Sequence, residues 1–166
     1  MGTIEGGKQG ELLVLGELLK RGAKVYVPLV DVEGIDAVLR RPDGSYAELQ
    51  VKTAVRRKNR PRWFRVPNLE PRRNLYIVCV ALREQEIWVI PSKEFHEYAT
   101  HISVEKQGAT LYDLDFGGAS EDKLEKYRNA WQLIAGPTEA ASEPHPVEAA
   151  FAEDWNSAED SVYDAI

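Results

Sequence analysis

Cysteine is nearly absent: Cys79 is the one thiol in 166 residues, which excludes an internal disulfide framework. Set in the run YIVCVAL, it reads as a small buried hydrophobe rather than a reactive nucleophile. No apolar run approaches the roughly 18 residues needed to span a bilayer, so no membrane partner is expected. The opening MGTIEGGKQGELL lacks the basic-then-apolar pattern of a secretory signal, and the chain is expected to be cytoplasmic. Histidine is scarce as well. His96 and His101 are spaced H-x-x-x-x-H, but no second ligand pair accompanies them and His145 lies in a Pro-rich stretch. A zinc enzyme is therefore not expected.

Positive charge is absent from the last part of the chain. Residues 137–166 hold eight acids and no Lys or Arg; the other 19 acids face 21 bases, so residues 1–136 carry +2 although the whole chain carries −6. The boundary divides a domain over 1–136 from an acidic linker and tail over 137–166. The first part of the tail is rich in Pro, Ala and Glu and reads as a linker. Beyond Pro146, Phe151 and Trp155 are spaced four apart and share a face if that segment is helical. Two readings stay open for it: a disordered solubilising tail, or a docking helix that packs on this subunit or a neighbour.

Within the domain the bases are gathered. Lys52, Arg56, Arg57, Lys58, Arg60, Arg62, Arg65, Arg72 and Arg73 fall between 52 and 73, opposed only by Glu70. A local excess of this kind suits a polyanion, and nucleic acid is the usual one; the plainer alternative is a solvated basic loop. Trp63, inside this stretch, is either a base-stacking side chain or a core residue.

The element order is that of an α/β domain. QGELLVLGELLKR predicts a helix over 9–21 closed by Gly22, with GTIEGGKQ before it as a flexible entry. That entry nearly spells a phosphate-binding loop, but no buried strand precedes it and Gln9 has no hydroxyl for magnesium. KVYVP and GIDAVLR read as strands, and RPDGS as a hairpin turn into YAELQVKT. WFRV, NLYIVCVAL and EIWVIP follow as further strands. Ser92 is expected to cap a helix over KEFHEYA, and Ser120 a longer helix over EDKLEKYRNAWQLIAG.

The strand AELQVKTA alternates strictly, with Glu48, Gln50 and Lys52 on one face and Leu49 and Val51 on the other. Asp36 interrupts an otherwise apolar strand, and the hairpin can set it beside Gln50 and Lys52. Glu11 is a further acid near the start of the first helix, where the helix dipole alone would also explain it. Carboxylate, amide oxygen and amine suit a hard cation with an adjoining base or electrostatic stabiliser.

Glu11, then Gly34-Ile35-Asp36, then Gln50-Val51-Lys52-Thr53 resembles the PD-(D/E)xK nuclease superfamily, most closely its PD-(D/Q)xK variant among group I intron homing endonucleases. The resemblance covers about residues 6–100 and departs from the pattern in two places. No proline precedes Asp36, and the uncharged Gln50 stands at the second acid position. It implies a restriction-endonuclease-like core of a helix, a mixed central sheet and flanking helices. It also implies Mg²⁺ or Mn²⁺ held by Asp36, Gln50 and the Val51 carbonyl, with Glu11 binding through water or supporting a second ion. Lys52 would orient or activate water, and Arg56, Arg57, Lys58, Arg60, Arg62 and Arg65 would hold phosphates of duplex or branched DNA. Double-strand cleavage would most simply use a homodimer or higher homo-oligomer with two-fold symmetry. Two rivals remain: a nuclease-like nucleic-acid-binding module weakened by Gln50, and an assembly protein whose tail mediates association.

Overall fold

The computed structural model of the chain describes residues 4–30, 34–54, 62–104, 108–116 and 121–135. Its elements are helix α1 (Ile4–Lys20) and strands β1 (Lys24–Tyr26), β2 (Ala37–Arg40), β3 (Tyr46–Ala54), β4 (Arg62–Pro67), β5 (Leu75–Ala81) and β6 (Glu86–Pro91). Helix α2 (Ser92–Tyr98), strands β7 (Thr100–Val104) and β8 (Ala109–Phe116), and the short helices α3 (Glu121–Leu124) and α4 (Gln132–Ala135) complete it. The acidic tail and the basic residues Arg56, Arg57, Lys58 and Arg60 lie outside the described residues.

Helix α1 starts earlier than its apolar periodicity predicts. Gly6, Gly10, Val14 and Leu18 form its buried stripe, so the glycines belong to the contact face rather than to a flexible entry. Glycine forfeits about 1 kcal/mol of helix propensity against alanine, but here it lets the backbone approach the sheet. A Cβ on Gly10 would lie 2.0 Å from Thr53 Oγ1. The helix closes in a Schellman motif: the Ala23 N–H donates to Leu18 O at 3.1 Å and the Gly22 N–H to Leu19 O at 2.9 Å. Gly22 supplies the required left-handed φ of +68°.

Five strands form a mixed sheet in the order β1-β2-β3-β5-β6. Only the β3–β5 pairing in it is parallel. Parallel neighbours need a long crossover, and residues 55–74 provide it, carrying β4 into a second sheet of order β4-β8-β7. The β7–β8 hairpin is absent from the sequence expectation. Its signal is the alternation of Tyr112, Leu114 and Phe116 with Asp113 and Asp115.

The core has two parts, one on each face of the main sheet. Ile77, Cys79, Trp88 and Ile90 meet Phe64, Val66, Leu114 and Phe116 of the second sheet and Phe95 of α2. Here the rings of Phe64 and Phe116 pack edge-on at 5.2 Å. On the other face, Leu49, Val51, Val78, Val80 and Val89 meet Val14 and Leu18 of α1 and Ile134 of α4. A mixed central sheet with flanking helices is thus the architecture, as expected. Among the described residues no helix is long and apolar enough to cross a membrane.

Two helix expectations need correction. Ser92 is not a cap: it is fully buried, and its hydroxyl bonds both the N–H and the carbonyl of Arg72, at 3.0 and 2.8 Å. The stretch 121–136 is not one helix. After α3 and a 3₁₀ turn over Glu125–Tyr127, Arg128 bridges Trp88 on the edge strand β6, and Asn129 takes a φ of +50°. Leu124 and Tyr127 enter the core between the sheets, whereas Ala130, Trp131 and Ile134 enter the core under α1. A straight helix cannot reach both faces of a sheet, so the chain breaks as it rounds the edge.

Candidate active site

The β2–β3 hairpin sets the register of the site. Its turn closes with Gly44 N–H on Arg41 O at 3.0 Å and Arg41 N–H on Ser45 O at 2.8 Å, Gly44 taking φ +82°. Ala37 then pairs with Leu49, so Asp36, just before β2, lies against the stretch from Leu49 to Val51. The Asp36 N–H donates to Leu49 O at 2.9 Å, and its Oδ2 accepts from the Val51 N–H at 2.6 Å. The carboxylate thereby replaces the next rung of the ladder.

Strand geometry points main-chain oxygen the same way. Within one residue of a strand, N–H and C=O address the same edge. Glu48 addresses β5, its N–H donating to Asn74 O at 2.8 Å, and Val51 addresses the edge where Asp36 lies. The Val51 carbonyl is therefore directed past the end of β2, beside the Asp36 carboxylate.

Gln50 is held at 8% exposure, and among the described residues only it and Ser92 are buried polar side chains. Gly34 makes the room: a Cβ there would lie 2.3 Å from Gln50 Nε2, and its φ is +71°. Lys52 follows on the same face, half-buried and in register with Cys79 of β5. Burial pushes the Cys79 thiol well above its ordinary 9.0, and the charge of Lys52 pulls it back down.

Helix α1 brings the second acid. Gly10 touches β3 at Thr53, and one residue further along Glu11 meets Lys8 at 2.6 Å between Nζ and Oε2. The Glu11 hydrogen bond and charge hold the Lys8 ammonium above its ordinary 10.5, with a smaller contribution from the charge of Asp36. Lys8 is the residue sequence reasoning missed. Its signal was the three-residue spacing to Glu11, hidden in a string dismissed as a false phosphate loop. Glu48, on the Gln50 face, pairs with Arg72 at 3.2 Å.

The described end of the basic segment is already engaged. Arg62 pairs with Glu86, which also takes Arg128. Arg65 forks onto Asp113 at 2.7 and 2.6 Å and covers the Trp63 ring at 4.7 Å. Trp63 is 40% exposed and stands outside the core.

For a hard divalent cation, which prefers oxygen, the hairpin offers the Asp36 carboxylate, the Gln50 amide and the Val51 carbonyl. Among the described residues no group of three or more His, Cys, Asp or Glu is placed to hold a metal. An ion here would thus depend on neutral oxygens as well as on Asp36, and this donor set fits magnesium or manganese rather than zinc.

A helix laid on a mixed central sheet gives the chain a nuclease-like fold, similar to that of a homing endonuclease. It is similar to the solved structure of a bacterial homing endonuclease, I-Ssp6803I. The TM-score is 0.61 at 20% sequence identity, over 84% of this chain and 96% of that one. No protein-family model matches the chain, and no curated protein matches it.

Proposed function

We propose that the protein is a divalent-metal-dependent DNA endonuclease that hydrolyses phosphodiester bonds at a PD-(D/E)xK-type site. The observation that carries this reading is the 2.6 Å bond from the Val51 N–H to Asp36 Oδ2, which fixes a carboxylate against the main chain beside the buried Gln50. Asp36, the Gln50 amide oxygen and the Val51 carbonyl would hold Mg²⁺ or Mn²⁺, with Glu11 in support from α1. The ion, when bound, stabilises negative charge on the scissile phosphate. Lys52 orients the attacking water and takes part in its deprotonation. Arg56, Arg57, Lys58 and Arg60 supply phosphate contacts, which give affinity without sequence preference. Arg62 and Arg65 contribute only by exchanging Glu86 and Asp113 for phosphate. Duplex or branched DNA is the substrate, and two protomers related by two-fold symmetry would cut both strands.

The test is cleavage of duplex, nicked and branched DNA in Mg²⁺ or Mn²⁺ by the wild type, Asp36→Asn and Lys52→Ala. Loss of a general base or metal ligand is expected to cost about 10²–10⁴-fold. Undiminished cleavage by Asp36→Asn refutes the site. The neutral Gln50 favours one second reading, a nuclease-like module that binds DNA without cutting it. Binding by all three proteins with cleavage by none would establish that reading instead.

A further inference from the structure

Lys8 has no part in the mechanism above, yet its position on α1 is specific. Its ammonium lies 2.6 Å from Glu11 Oε2, and the Gly10 backbone beside it touches β3 at Thr53, the residue after Lys52. A monovalent cation is therefore set against Glu11, a carboxylate that the functional reading assigns to the support of a divalent ion.

We propose that Lys8 is a counter-ion built into the metal site, which neutralises Glu11 in the metal-free protein and is displaced when a divalent ion binds. The proposal rests on the metal-site reading given above. An ammonium and a divalent ion repel each other across shared ligands. The side chain can leave, because it is 65% exposed and carried on a flexible four-carbon stem. Spacing alone does not make the case. Lys20 pairs with Glu17 at the same three-residue interval and 3.0 Å, and this pair sits at the far end of α1.

The test is a titration of the full chain with Mn²⁺, following the electron paramagnetic resonance signal of the free ion. Removing one screened positive charge beside the site should tighten binding about 3- to 10-fold in both Lys8→Met and Lys8→Gln. Lys8→Arg and the control Lys20→Met should stay within about two-fold of wild type. Asp36→Asn should weaken binding, and circular dichroism should show every variant folded. If Asp36→Asn weakens binding but neither Lys8→Met nor Lys8→Gln tightens it, the counter-ion is refuted and the metal site stands. Equal tightening by Lys20→Met also refutes it, since that would be a general charge effect. Binding indifferent to Asp36→Asn overturns the metal-site reading, and the counter-ion with it.

Discussion

Three glycines of α1 allow opposite outcomes for one substitution. At Gly7 and Gly16 an added methyl meets nothing within 4 Å. Alanine there should stabilise by about 0.5–1 kcal/mol through helix propensity and a stiffer unfolded chain. At Gly10 the same methyl would fall 2.0 Å from Thr53 Oγ1, 3.1 Å from its Cβ and 3.2 Å from its Cγ2. Rotating the threonine cannot clear all three atoms, so α1 must move off β3. Overpacking of this kind costs about 1–3 kcal/mol; after the propensity gain, Gly10→Ala should lose about 1–2 kcal/mol. Thr53→Ala should be tolerated alone, because its buried hydroxyl has no hydrogen-bond partner to forfeit. In the Gly10→Ala background it should recover about 1 kcal/mol, a coupling that a double-mutant cycle reads directly. Urea denaturation at constant m-value is the assay. If Gly10→Ala is as stabilising as Gly16→Ala, the close approach of helix and strand is wrong.

Two further outcomes follow from the same geometry. Gly34→Ala combines a left-handed φ with a Cβ 2.3 Å from Gln50 Nε2 and should lose about 1–3 kcal/mol in urea melts. Metal-dependent cleavage should fall with it, and wild-type stability would show that Gln50 needs no such clearance. The Cys79 thiol is raised well above 9.0 in the fold, whereas the unfolded chain ionises it near 8.5. Above about pH 8.5 the unfolded state therefore binds fewer protons than the native state, and stability should fall as pH rises. Comparing urea midpoints from pH 7 to 9.5 checks this, and Cys79→Ala should flatten the slope.

What could be read from the residues was local and periodic. Period-two alternation marked β3, and the Pro-Asp-Gly turn set the hairpin register that brings Asp36 against Leu49 and Val51. What escaped depends on contacts between distant segments. Strand β8 is defined by pairing with β4 across the chain, Arg65 finding Asp113 and Phe64 finding Leu114, and nothing near either strand announces the other. The apolar spacing of Leu124, Tyr127, Trp131 and Ile134 suits a helix, but spacing does not say that these residues serve opposite faces of a sheet. Ser92 had the right residue type and position for a cap, and lost that role because Arg72 needed both of its main-chain groups satisfied. Lys8 escaped because the stretch that carries it reads as a loop before the helix, whereas it lies inside α1, three residues from Glu11.

The passage of residues 124–134 around β6 has a consequence for how the protein is made. One core needs Leu124 and Tyr127, and the other needs Ala130, Trp131 and Ile134. A ribosome that has translated the first 120 residues has delivered every strand of both sheets, yet each apolar layer still lacks its last side chains. The core between the sheets waits for Tyr127 and the core under α1 for Ile134, so both are completed late, within a few residues of each other. Until then both cores stand partly open, the condition in which chaperones find clients and aggregation finds partners.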